Sequence, residues 1–236
     1  DDMVITISHL GYIKRTPLAD FRQQGRGGVG AKASAARDED FIEYVHQANM
    51  HSTMMFFTEQ GRLYWTKVYE LPEGNRQSKG RALQNMINIQ KGDKVCAFIH
   101  VKNLSDMEYV QNHYLIFATK NGLMKKTTLE AYSRPRANGI IALGLREDDR
   151  LIRVTLTDGN SQMLVASYNG KVVRFPEDTV RPMGRTATGV RAIKLDEDGQ
   201  DRVIGMICVE EGSKESVLVI SEKGFGKRTD LDDENG

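Results

Sequence analysis

Short apolar runs recur along the chain, and each ends in a hydroxyl residue followed three positions later by a glycine. The five copies span residues 4–11, 54–61, 115–122, 163–170 and 217–224. Their hydroxyl residues are Ser8, Thr58, Thr119, Ser167 and Ser221. A second strand-like run follows each glycine, and two copies carry Asn-Gly at the turn, the pair that a two-residue hairpin with positive φ favours. Each repeat is therefore predicted to open with a β-hairpin.

A second glycine follows the first after 19, 19, 17 and 19 residues in the first four repeats, at Gly30, Gly80, Gly139 and Gly189. An aspartate then precedes another apolar strand, at Asp40, Asp93, Asp149 and Asp201. Units of about four strands at this period are typical of blades arranged around an axis, because one blade alone cannot bury both of its faces. We predict a single all-β, propeller-like domain over residues 1–236.

The blades of this domain are expected to start near residues 1, 52, 113, 161 and 215, giving four complete blades and a partial fifth. The fifth repeat reaches the end of the chain before its second glycine is due. We therefore expect the chain to be part of a longer protein, because propeller blades need their edges covered.

Composition agrees with a globular domain that carries no metal or cofactor. The 236 residues are 39% apolar and 28% charged, with two cysteines, which argues against disorder and against a disulfide scaffold. No apolar run is long enough to span a bilayer, and residues 1–2 do not resemble a signal peptide, so we expect a cytoplasmic protein. Cys96 and Cys208 lie in strand-like runs and are predicted to be buried free thiols, and the five histidines show no metal-ligand spacing.

The near-neutral charge hides a repeated basic pattern. Lys and Arg number 33 against 32 Asp and Glu, but the four segments between first and second glycines carry net charges of +3, +2, +3 and +2, leaving −9 elsewhere. All five prolines also lie in these segments, and proline is confined to sheet edges and loops. We therefore predict a basic rim suited to a bent polyanion. Ordinary solvated loops are the alternative interpretation.

The candidate rim cations of the repeats and of their flanks are Lys14, Arg15, Arg22, Arg62, Lys67, Arg76, Lys79, Arg81, Lys125, Lys126, Arg134, Arg136, Lys171, Arg174, Arg181, Arg185, Arg191, Lys227 and Arg228.

The first basic segment contains a glycine cluster, Gln24-Gly25-Arg26-Gly27-Gly28-Val29-Gly30, with Lys32 two residues later. Its spacing matches a dinucleotide-binding fingerprint, but no parallel βαβ unit surrounds it and it lacks a P-loop ending, so a nucleotide-dependent oxidoreductase is disfavoured. A plain surface loop is a second alternative. We favour a loop whose glycines let backbone amides approach phosphates while Arg26 and Lys32 supply positive charge.

The pattern Gln24-x-Arg26-Gly27-Gly28-x-Gly30 resembles the gyrase box, and the chain as a whole resembles the C-terminal DNA-wrapping domain of the A subunit of bacterial DNA gyrase. Further similarity lies in residues 170–175, 188–191 and 224–229. Gly25 and Val29 stand where family boxes usually carry further basic residues. The resemblance implies a six-bladed β-pinwheel whose neighbouring blades exchange a strand.

The same resemblance implies a non-catalytic, DNA-binding, nucleoid-associated domain. It would wrap double-stranded DNA with little sequence preference, so that an A2B2 holoenzyme introduces negative supercoils. The DNA-cleaving tyrosine would lie in the rest of the A subunit, and ATP and Mg would be used elsewhere in the enzyme, with ATP bound by the B subunit. Two alternatives remain: the corresponding domain of topoisomerase IV, whose box is degenerate or missing, and a protein-binding propeller. The second lacks its Trp-Asp signature, since Trp65 is the only tryptophan.

Overall fold

The computed structural model describes residues 2–22, 40–75 and 77–209, together with the backbone of two strands at 216–220 and 226–230. In chain order the strands are β1 (Asp2–Ser8), β2 (Tyr12–Pro17), β3 (Ile42–Asn49), β4 (Thr53–Thr58), β5 (Arg62–Lys67), β6 (Arg81–Ala82), β7 (Val95–Val101), β8 (Tyr114–Thr119), β9 (Leu123–Thr128), β10 (Ile140–Ile141), β11 (Leu151–Thr157), β12 (Gln162–Ser167), β13 (Val172–Pro176), β14 (Val190–Arg191), β15 (Val203–Val209), β16 (Ser216–Ile220) and β17 (Gly226–Asp230).

Helical structure in the described part is limited to short turns. Two short α-helices are α1 (Leu18–Arg22) and α2 (Met107–Asn112), and the 3-10 turns are Val68–Glu70, Leu83–Asn85, Leu129–Tyr132 and Glu177–Thr179. None of the helices in this part is long and apolar enough to cross a membrane. The prediction of an all-β fold built from repeated blades is confirmed.

Every described sheet is antiparallel, and each of the first three blades takes its last strand from the next repeat. The sheet orders are β3-β1-β2-β6, β10-β5-β4-β7 and β11-β8-β9-β14, followed by β13-β12-β15 and the pair β16-β17. Strands β6, β10 and β14 belong to repeats 2, 3 and 4 but pair with the hairpins of repeats 1, 2 and 3. The fourth sheet has three strands among the described residues.

The second glycines of repeats 2, 3 and 4 are needed for this exchange. Gly80, Gly139 and Gly189 have φ values of +83°, +69° and +103°, which side-chain-bearing residues rarely adopt. A Cβ atom on any of them would lie closer than 3.0 Å to a carbonyl oxygen of the preceding blade, that of Ile13 or its counterpart in the next two blades. The regular interval in the sequence therefore marks the point where one repeat crosses onto its predecessor.

In the first four repeats the hydroxyl and the aspartate hold the hairpin turn, as the third blade illustrates. The Thr119 Oγ1 accepts a hydrogen bond from the Leu123 N–H at 3.1 Å, and the Asp149 Oδ1 accepts from the Asn121 N–H at 2.9 Å. Equivalent bonds, with N···O distances of 3.0–3.2 Å, occur in the other three described hairpins. These side chains act locally by satisfying the N–H groups on both sides of the glycine.

Three apolar clusters lie between consecutive blades and set the inside and outside of the fold. Residues from repeats 1 and 2 form one cluster, those from repeats 2 and 3 another, and those from repeats 3 and 4 the third. Strands β7, β11 and β15, at one edge of their sheets, contact one another in sequence. The exchanged strands lie at the opposite edges, which we therefore describe as the outer edges.

Candidate nucleic-acid interface

Three segments, here called crossing loops, carry the chain from the hairpins of repeats 2, 3 and 4 to the outer edge of the preceding blade. They comprise residues 68–80, 129–139 and 177–189, and each leads into an exchanged strand. The backbone fixes this path: the N–H groups of Leu83, Ala142 and Ala192 donate to the carbonyls of the preceding hairpin glycines at 2.7–2.8 Å. A charged side chain that points from a crossing loop into solvent therefore lies at an outer edge.

Each of the three outer edges presents two exposed cations. The pairs are Lys79 with Arg81, Arg134 with Arg136, and Arg181 with Arg191. The Lys79 Nζ lies 4.1 Å from the centre of the Tyr12 ring, so this exposed lysine makes a cation–π contact with strand β2. Within the described chain, none of the six forms an ion pair with an acidic residue. We call these six residues the edge cations.

Two residues predicted to belong to the basic rim, Lys125 and Lys126 on β9, are buried instead. The two residues are 0% and 4% exposed. The Lys125 Nζ donates to the Ala142 carbonyl at 2.6 Å, to the Tyr132 hydroxyl at 3.2 Å and to the Arg185 carbonyl. Burial, reinforced by the nearby Arg185 charge, lowers the pKa of Lys125 to about 7. The prediction that these two lysines contact DNA was wrong, because the crossing loop of repeat 4 covers them.

Lys126 is neutralised by a buried carboxylate. Its Nζ lies 3.4 Å from the Oε1 of Glu177, whose side chain is fully buried. That carboxylate also accepts from the Ser161 N–H at 3.0 Å and from the Thr157 hydroxyl. The net charge of the segment counts Glu177 against the cations of the outer edge. Because Glu177 and its partner Lys126 are both buried, Glu177 does not lower the charge of that edge.

The equivalent cations of blade 1 are partly buried and have backbone partners. The Lys14 Nζ donates to two carbonyls of the crossing loop of repeat 2, those of Asn75 at 2.8 Å and Ser78 at 2.9 Å. Burial lowers the pKa of Lys14. The Arg15 Nε donates to the Leu71 carbonyl at 2.7 Å, and its guanidinium pairs with Glu73. Both residues hold a crossing loop in place.

Four other candidates are also bonded within the protein. The Arg62 Nη2 donates to the Asn138 carbonyl at 2.9 Å, Lys67 to the His51 carbonyl at 3.4 Å, and the Arg185 Nη1 to the Ile141 carbonyl. Lys171 is exposed, but its Nζ lies 2.5 Å from Asp196, and this hydrogen bond raises the pKa of Lys171. Arg174 on β13 is half-buried. These contacts leave the six edge cations as the clearest set available to an external anion.

The remaining candidates lie outside the described residues or have only their backbone described. The glycine cluster, with Gln24, Arg26, Gly27, Gly28, Gly30 and Lys32, is in the first group, as is Arg76. Arg22, Lys227 and Arg228 are in the second. The predicted role of the cluster therefore stays a prediction. Among the described residues, no group of three or more His, Cys, Asp or Glu side chains could hold a metal ion.

A signal for the buried lysines was present in the sequence. Repeats 2 and 4 carry Tyr64 and Val173 at the position of Lys125, and Tyr64 is 1% exposed. An aromatic or aliphatic residue at that position indicates that it faces inward in every blade. In repeat 2, Trp65 occupies the position of Lys126 and also bonds to a crossing loop, because its Nε1 donates to the Tyr132 carbonyl at 3.1 Å.

Comparison with known proteins agrees with this architecture. The family model described as DNA gyrase C-terminal domain, beta-propeller, matches residues 2–49, 52–102, 113–158, 162–210 and 215–233. The chain belongs to the DNA gyrase C-terminal domain family. Its sequence is 44% identical over 234 residues to the DNA gyrase A subunit of Salmonella typhimurium, an alignment that covers 99% of this chain. The chain spans about a quarter of that relative, 26% of its length.

Solved structures of C-terminal domains share the fold of this member of the gyrase C-terminal domain family. The C-terminal domain of DNA topoisomerase IV superposes with a TM-score of 0.78 at 27% identity, covering 98% of this chain and 68% of the other. A DNA gyrase A C-terminal domain superposes with a TM-score of 0.71 at 23% identity, covering 98% of this chain and 72% of the other. The second likeness is evidence of the fold alone.

Proposed function

We propose that this domain binds double-stranded DNA along its outer edges and bends it around the domain. The observation that carries the proposal is the recurrence of two exposed cations on each of three consecutive outer edges. Phosphates occur at regular spacing along a duplex, so repeated cations on neighbouring blades can follow its backbone. The edge cations lie on crossing loops and two-residue strands, and none of them is on a helix able to enter a major groove, so recognition is largely independent of sequence.

Bending is the energetically demanding part of this function. DNA has a persistence length of about 50 nm, and bending a site of 20–30 base pairs by 40–90° costs on the order of 1–6 kcal/mol. A few phosphate contacts at a single point leave the duplex straight. Contacts distributed over successive outer edges offset the cost only if the duplex follows the curve, and the blade repeat supplies such contacts.

We infer further that the domain works within a type IIA topoisomerase of the gyrase type. The remainder of that enzyme consists of the rest of the A subunit and of the B subunit. The intact pattern from Gln24 to Gly30 and the 44% identity to a gyrase A subunit support gyrase rather than topoisomerase IV. The domain itself is non-catalytic and needs no cofactor. By presenting a DNA crossing to the cleavage core, it lets ATP-dependent strand passage introduce negative supercoils.

The assembled enzyme provides the test. Replacing residues 26–30 with alanine is expected to abolish negative supercoiling while leaving relaxation of supercoiled DNA intact, because wrapping serves only the first reaction. Arg153→Ala is a matched control: Arg153 is an exposed cation, but it lies on β11 at the inner edge. Unchanged supercoiling by the box variant contradicts the assignment of the box. An enzyme that relaxes and decatenates DNA but never supercoils it points to topoisomerase IV.

A further inference from the structure

Lys125 is the only residue of the described chain whose ammonium holds two successive crossing loops at once. Its Ala142 and Tyr132 partners belong to repeat 3, at the two ends of the segment that carries Arg134 and Arg136. Its third partner, the Arg185 carbonyl, lies in the crossing loop of repeat 4 between Arg181 and Arg191. The two segments that supply the edge cations of blades 2 and 3 therefore meet at one nitrogen atom.

The surrounding contacts make this junction specific. The Tyr132 hydroxyl donates to the same Ala142 carbonyl at 2.7 Å, so its oxygen is free to accept from Lys125. The Arg185 guanidinium reaches back to the neighbouring Ile141 carbonyl, and the Gly144 N–H donates to the Ala187 carbonyl at 3.1 Å. Lys125 also lies 4.8 Å above the Phe117 ring, which restricts where its ammonium can sit. The spacing between the loops is thus set by several short contacts centred on one side chain.

We propose that Lys125 is a positioning residue for DNA bending, which fixes the spacing and orientation of the edge cations of blade 2 relative to those of blade 3. This inference rests on the proposed function, since it concerns the path of the duplex over two outer edges. Lys125 touches no DNA itself. Loss of its ammonium removes the bonds that the two loops share and leaves their spacing to the weaker link made by Arg185 and Gly144, while each loop keeps its own attachment to the preceding blade.

Lys14 supplies the matched comparison. It occupies the same position in blade 1, and within the described residues its ammonium holds carbonyls of one crossing loop only, at Asn75 and Ser78. Lys14→Met therefore removes the same charge and the same kind of bond without altering the relation between blades 2 and 3. Tyr132→Phe is a milder change at the Lys125 junction, because it removes one partner and leaves the lysine and the packing of the ring.

The experiment measures binding and bending of fluorescently labelled duplexes by the full chain, comparing Lys125→Met with Lys14→Met and Tyr132→Phe. For duplexes of about 10 base pairs, too short to follow two outer edges, we expect Lys125→Met to bind as the unmodified chain does. For duplexes of about 40 base pairs we expect affinity to fall roughly 3- to 30-fold and the bend to decrease, with a smaller loss for Tyr132→Phe. Circular dichroism and thermal unfolding check that each variant is folded.

The outcomes separate this inference from the proposed function. If the unmodified chain fails to bend the long duplex, the proposed function is wrong and the inference with it. If the unmodified chain bends DNA and both variants at the junction bend it equally well, Lys125 is not a positioning residue. Equal losses on short and long duplexes, or the same loss in Lys14→Met, likewise overturn the inference. Should Lys125→Met not fold, the comparison of Tyr132→Phe with the unmodified chain decides.

Discussion

Two basic pairs of repeat 3, separated by only eight positions from Lys126 to Arg134, have opposite roles in the molecule. Lys125 and Lys126 are buried and bonded to other parts of the chain, whereas Arg134 and Arg136 are exposed at an outer edge. Both pairs contribute equally to the net charge of their segment. The basic segment of repeat 3 therefore has two uses: its strand cations hold the incoming loop, and its loop cations face outward.

Among changes to these two pairs, we expect removal of the Lys126 charge to lower the free energy of unfolding most. Lys126→Ala leaves the Glu177 carboxylate buried without its ion-pair partner, and breaking such a pair costs about 3–5 kcal/mol. We expect the free energy of unfolding, measured by urea titration, to fall by this amount. Adding Glu177→Gln to the same variant should recover part of the loss, because the unpaired charge is gone. A Lys126→Ala chain as stable as the unmodified one would show that Lys126 is not buried in solution.

A second prediction concerns pH, because Lys125 titrates near neutrality. The unfolded chain keeps the Lys125 proton up to its ordinary pKa of 10.5, while the folded chain releases it at a pKa of about 7. Between these values the unfolded state binds more protons, so the free energy of unfolding rises with pH, by at most about 1.4 kcal/mol per pH unit from this group. The rise should be smaller in Lys125→Met.

Urea titrations from about pH 6.5 to about pH 9.5 measure this difference and stop below the range in which Tyr132 ionises, since burial raises the pKa of that hydroxyl. Subtracting the Lys125→Met curve removes the contribution of other groups, including Lys14, whose pKa burial also lowers. Parallel curves for the two chains would mean that Lys125 keeps its ordinary pKa, and that its junction is open to water.

The smallest effect on stability is expected for the exposed pair. Arg134→Ala combined with Arg136→Ala should change the free energy of unfolding by no more than about 0.5 kcal/mol per residue, because exposed side chains away from buried features contribute little. DNA binding should respond instead: the log–log slope of affinity against salt concentration should become shallower by about 2, one for each phosphate that is no longer neutralised. If the double variant is strongly destabilised and its salt slope is unchanged, Arg134 and Arg136 stabilise the fold and do not contact DNA, which contradicts the prediction.

Much of the fold could be predicted from local sequence. The glycine that ends each apolar run, the hydroxyl three positions before it and the aspartate of the same repeat all act on one hairpin turn, as Thr119, Gly122 and Asp149 show. Their spacing in the chain therefore maps directly onto contacts. The second glycines form a regular feature of the sequence, but their purpose depends on the carbonyl of another blade, such as that of Met124 facing Gly189.

The site was less accessible to prediction from the sequence. The charge pattern predicts a basic rim in the right segments, and the outer-edge positions of Lys79, Arg136 and Arg191 agree with it. A charge count by segment gives every cation the same exposure, so it predicts that Lys125 and Lys126 are equivalent to these residues. Their burial depends on a loop that begins some fifty residues later, at Glu177, and that covers β9 only after strand exchange.

The amino-acid sequence alone specifies the repeat, the hairpins and the number of positive charges available, since these follow from short-range backbone chemistry and from counting. Which of those charges meet solvent is settled only in the folded domain. The physical reason is that strand exchange brings carbonyls and a carboxylate from one repeat onto the strand of another, and a lysine surrounded by acceptors can leave water. Among the described residues, six exposed cations at the outer edges, rather than all the basic residues of the repeats, are the ones that we propose contact DNA.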